Sequence, residues 1–104
     1  MRGRPVFWHP APVAEIRIDP LGGGTFHVVV DAGGTRTEHR VRLPDGLFER
    51  LGVEGVTPEA IVRASFEFLL EREPASSILA EFDLDVIGRY FPDWEADLRR
   101  RLRA

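Results

Sequence analysis

The stretch TPEAIVRASFEFLLEREP, running from Thr57 to Pro74, reads as one helix, and its composition decides the kind of fold that must surround it. Thr57 is a good N-cap, Pro58 suits the first helical position, and Glu59 sits beside the positive end of the helix dipole. Pro74 cannot continue a helix and biases Glu73 away from helical angles. At about 100° per residue, Ile61, Val62, Ala64, Phe66, Phe68, Leu69 and Leu70 cover well over half of the circumference. Arg63, Glu67 and Glu71 form one clear solvent stripe. A helix this apolar has to be wrapped by other elements, so it is expected at the centre of the core. Ser65 and Arg72 interrupt the apolar surface, within about 20° of each other around the axis. A buried Arg needs a carboxylate partner, and Glu81, Asp83 or Asp85 can supply one.

Beyond Pro74 the chain restarts several times. Ser76 or Ser77 is expected to cap a short helix carrying Ile78, Leu79 and Phe82. Asp83 or Asp85 then caps another with Val86, Ile87, Tyr90 and Phe91, and Pro92 opens a last helix. In that last helix Trp94, Leu98 and Leu102 recur every fourth residue beside Arg99, Arg100, Arg101 and Arg103. The stripe can dock on the rest of the chain or present itself to a partner helix-fashion.

Upstream of the core helix, LPDGLFERLG (43–52) reads as a short helix with Asp45 as cap and Gly52 as terminator. Before it, three segments alternate apolar and polar residues with the period of strands. They are Val13–Asp19, Thr25–Asp31 and Arg36–Leu43. A two-residue Gly33-Gly34 turn places Asp31 opposite Arg36, His27 opposite Arg40, Val28 opposite His39 and Phe26 opposite Val41. Every pair then agrees in facing, which supports the register. The loop Pro20–Gly24 closes the first hairpin and is expected to pair Ile18 with Phe26. The expected architecture is α+β. A three-stranded antiparallel meander (13–43) packs on the central helix and is followed by short C-terminal helices within a helical part (44–103). All of this lies in a single domain (1–104) that begins with a proline-rich extended arm (1–12).

Composition bounds the function. A chain of 104 residues is large enough to bury one core without disulfides. Cysteine is absent, which removes thiolate ligands and thiol nucleophiles. Lys, Asn and Gln are absent too, as a GC-rich genome would produce, and this bears on no function. No apolar run of membrane-span length and no leader pattern is visible, so a cytoplasmic location is the expectation. Residues 53–97 carry three Arg against eleven acids, whereas residues 98–104 carry four Arg and no acid. The helical body is therefore acidic, and a net charge of −3 argues against a protein that coats nucleic acid.

No catalytic constellation emerges, and neither a metal nor a cofactor is expected. Gly22-Gly23-Gly24 lacks phosphate-loop spacing and joins two antiparallel strands. Ser65, Ser76 and Ser77 have no strand–turn–helix elbow and no adjacent His. His9, between Trp8 and Pro10, has no second ligand nearby in sequence. His27 and Asp31 are about 13 Å apart along one strand, too far to share a metal. His39 faces inward as a semi-buried imidazole, and a small enzyme pairing it with a carboxylate such as Glu81 is a remote third reading. SFEFLLEREPASSIL (65–79) and FDLDVIGRYFP (82–92) resemble a small bacterial family of no assigned activity, which implies no residue roles.

By elimination, the expected function is a non-enzymatic protein–protein interaction or regulatory module, with a protein partner or a second copy of itself. Trp8, Trp94, Leu98 and Leu102 are the candidate partner-binding residues, since aromatics lie in surplus at both ends. The alternative is nucleic-acid or anion contact through Arg17, His27, Arg36, Arg40 and Arg42 on the charged sheet face, together with the Arg-rich tail. That face has no stacking aromatic, and Glu15, Asp19, Asp31 and Glu38 are interleaved with the arginines.

Overall fold

The computed structural model describes residues 14–103. The meander forms from β1 (Glu15–Gly22), β2 (Thr25–Ala32) and β3 (Thr35–Arg42). The Gly33-Gly34 turn sets the second hairpin in the expected register, with Asp31 opposite Arg36 and Val28 opposite His39. Both glycines adopt positive φ, 59° and 83°, as a two-residue hairpin turn of this hand requires. The first hairpin differs from expectation. Ile18 pairs with Val28, and Phe26 lies opposite Pro20, a slip of two places. Strand β1 continues through Pro20, with an irregularity before Gly22, so the turn is tighter than a Pro20–Gly24 loop. A proline is tolerated there because β1 is an edge strand among the described residues, and a slip of two keeps every side chain on its expected face.

The core helix α2 (Pro58–Leu70) starts as its sequence dictates: the Ala60 amide donates to Thr57 Oγ1 at 3.1 Å. Ile61, Val62, Phe66 and Phe68 are fully buried, while Arg63 and Glu67 face solvent. The sheet lays Ile18, Phe26, Val28, Val30 and Val41 against it. The preceding helix α1 (Leu47–Leu51) is entered through Gly46 at φ 85° with no side-chain cap, so Asp45 does not cap it; Gly52 ends it in the left-handed region as expected.

The larger correction lies after Pro74. The expected helix over Ser76–Phe82 does not form. Residues Ala75–Ser77 make a single 3-10 turn, Ile78 is extended, and Glu81–Asp83 become a short strand, β4. Strand β4 pairs parallel with β3, matching Arg40 with Glu81, Val41 with Phe82 and Arg42 with Asp83. The sheet is thus four-stranded and mixed, in the order β1-β2-β3-β4. Parallel neighbours need a long crossover, and α1 with α2 supplies it.

Helix α3 (Asp85–Tyr90) begins at Leu84 without a side-chain cap. Asp83 and Asp85 are engaged in ion pairs instead: Asp83 takes both Nε and Nη2 of Arg42, and Asp85 takes Arg50 at 2.5 Å. Arg72 finds neither of them. Its guanidinium lies 3.6 Å over the Phe68 ring, donates to the Phe68 carbonyl at 3.1 Å and pairs with Asp93 at 3.3 Å. Helix α4 (Trp94–Arg103) packs its stripe inward, with Trp94 and Leu98 fully buried.

Candidate functional site

The side chains proposed from sequence do not assemble into one site. Trp8 lies outside the described residues, as do Phe7 and His9. Trp94 and Leu98 are core residues and Leu102 is half-buried against the core, so the stripe of α4 docks within the domain. Of the charged-face group, Arg17, Arg36 and Arg40 are exposed and make no ion pair among the described residues. His27 Nε2 lies 3.1 Å from Glu38. Arg42 is held by Asp83, whose hydrogen bond and charge raise the guanidinium pKa. The face therefore remains a lattice of both signs, with Glu15, Asp31 and Arg36 in one cross-strand row and Asp19, His27, Arg40 and Glu81 in another.

His39 is 3% exposed and committed at both ring nitrogens. Nδ1 is 2.7 Å from the Leu79 carbonyl, which can only accept, so Nδ1–H is the donor. Nε2 then accepts from the Thr37 hydroxyl at 2.9 Å. The ring also packs 5.3 Å from that of Phe66. Glu81 shares the opposite face of the sheet with Arg40, so the two do not form a dyad. The imidazole ties the start of the β4 segment to the sheet. Among the described residues no group of three His, Asp or Glu side chains could hold a metal ion.

What the fold does build is an apolar groove of about 270 Å³ that no expectation named. Its walls are Leu69 at the end of α2, Ile78 and Leu79 after the 3-10 turn, Phe82 of β4, and Val86 with Tyr90 on α3. Glu73 and Ser77 are the polar groups beside Tyr90 on its lining. Neither His27 nor His39 contributes to it. Leu79 and Tyr90, both on its lining, are 52% and 72% exposed, so the exposed apolar surface here is clustered rather than scattered. The floor is firm, because Phe66 and Phe82 lie 6.2 Å apart and Phe91 meets Phe68 edge-on at 5.7 Å.

The groove has a local cause. Strand β4 draws Phe82 to the sheet, and Gly88 lets α3 approach Trp94, where a Cβ would stand 3.3 Å from the indole. The outer side of α3 is left holding Val86 and Tyr90, one turn apart. That pairing was the available signal: Val86 and Tyr90, four residues apart, share one helical face.

Comparison with protein-family models, with curated proteins and with solved structures finds no match to this chain. No helix of the described residues is long and apolar enough to cross a membrane.

Proposed function

We propose that this domain is a non-enzymatic interaction module that docks an apolar segment of a partner protein in the groove between α2 and α3. The observation that carries the reading is the pair Leu79 and Tyr90, large side chains exposed at the mouth of an apolar groove over a packed floor. Exposed apolar surface concentrated around a concavity is what a partner's side chain buries. Enzymatic use of the same groove is disfavoured, because among the described residues no imidazole lines it with Ser77 and Glu73, and His39 is occupied at both nitrogens. Anion contact through the sheet is disfavoured by the acids interleaved with Arg17, Arg36 and Arg40.

The test is a tagged pull-down from the native host at moderate salt, run with the natural chain and with Leu79→Asp/Tyr90→Asp, each checked for folding. A stoichiometric protein partner retained by the natural chain and lost by the variant supports the module. Equal retention by both moves the interaction elsewhere, and nuclease-sensitive nucleic acid in the eluate favours the charged face instead.

A further inference from the structure

Strand β4 lends Phe82 to the groove and closes the sheet on that side among the described residues. The Arg40 amide donates to the Ala80 carbonyl at 2.8 Å and the Leu84 amide to the Arg42 carbonyl at 3.0 Å. Strand alternation then turns the N–H and C=O of Phe82 towards β3 and those of Glu81 and Asp83 away from it. Phe82 points into the groove, while Glu81 and Asp83 lie on the reverse face. Asp83 is held by Arg42, but Glu81 has no ion pair among the described residues, nor has half-buried Glu73 on the groove wall.

Short, charged edge strands usually serve to repel other strands. Here the same strand also lines an open apolar groove through Phe82, which a merely protected edge does not need. Resting on the reading of the groove as a docking surface, we infer that groove and edge form one site, taking an extended segment of the partner as an added strand on β4. Its alternate side chains are apolar and enter beside Leu79 and Phe82. The residues between them are basic and meet Glu81 on the reverse face. Main-chain hydrogen bonds to Glu81 and Asp83 provide the affinity, and the groove selects the side chains.

The probe is a short labelled peptide of alternating arginine and valine, with a control N-methylated on the edge that would pair. The free and bound chains are compared by binding anisotropy and by amide exchange resolved at each residue. Saturable binding, slowing of the Glu81 and Asp83 amides by about tenfold or more, and loss of binding with the N-methylated peptide are expected. Leu79→Asp and Glu81→Arg should each weaken the peptide by about tenfold or more. Equal binding of the N-methylated peptide overturns strand addition and leaves groove docking standing. No binding of either peptide overturns the basic, extended partner, while the pull-down with Leu79→Asp/Tyr90→Asp judges the groove separately. Protection of both amides in the free chain means that the edge is already occupied, by a second copy or by this chain, and also overturns it.

Discussion

Trp94 Nε1 donates to Ser65 Oγ at 3.2 Å, and both residues are fully buried. The hydroxyl that interrupts the apolar surface of α2 is thus the partner of the largest side chain on α4. Ser65→Ala leaves a buried indole N–H unpaired and should lower unfolding free energy by about 1–3 kcal/mol. Trp94→Phe also loses packing, and the double variant should fall short of the sum of the two single losses. Denaturant unfolding of the four proteins gives the coupling.

Asp97 anchors the other side of α4. It is 4% exposed and accepts from Arg100 and from Arg101 Nε, the latter at 2.5 Å. Asp97→Ala takes the carboxylate from Arg100, which is largely solvated, and leaves Arg101 with Glu71 alone, so a loss of about 1–3 kcal/mol is expected rather than the full penalty of breaking a buried pair. Thermal melts of Asp97→Ala and Asp97→Asn check this, with the Asn variant the milder.

Arg101 also reaches Glu71 at 2.6 Å and, by that hydrogen bond, lowers the Glu71 pKa below the ordinary carboxylate range. A depressed carboxyl pKa stabilises the folded state above its unfolded value, and the contribution is lost as pH falls through the folded value. Glu71 is more than half exposed, so the effect at neutral pH is about 0.2–1 kcal/mol. Glu71→Gln should therefore be less stable than the natural chain at pH 7 and equal to it at about pH 2. Denaturant midpoints at the two pH values decide it.

The second hairpin depends on backbone rather than side chains. Gly34 holds φ at 83° with open space where a Cβ would stand, so Gly34→Ala meets strain but no clash. A cost of about 1 kcal/mol is expected, with the register kept. Chemical denaturation measures the first, and cross-strand contacts between Val28 and His39 report the second.

These elements also mark where sequence reading succeeds and stops. The core helix, the Gly33-Gly34 register and the facing of the three meander strands were legible, because each follows from local periodicity and turn chemistry. Strand β4 was not. Ile78, Leu79 and Phe82 recur at a spacing a helix also uses, a three-residue strand shows one alternation, and its parallel partner lies some forty residues away in sequence. The same non-local pairing diverts Asp83 to Arg42 and leaves Arg72 to Asp93. The groove inherits that illegibility, being assembled from the end of α2, an irregular segment, β4 and α3. Leu79 and Tyr90 were expected on short helices, whereas Trp94, Leu98 and Leu102, named as candidate partner-binding residues, pack in or against the core.

The most direct test of the docking surface is an amide-exchange footprint of the domain in complex with the partner it retains. The account predicts slowed exchange across residues 77–91, at the groove and the β4 edge, with the charged face around Arg17, Arg36 and Arg40 unchanged. Slowing confined to that charged face, with residues 77–91 exchanging as in the free domain, would contradict it.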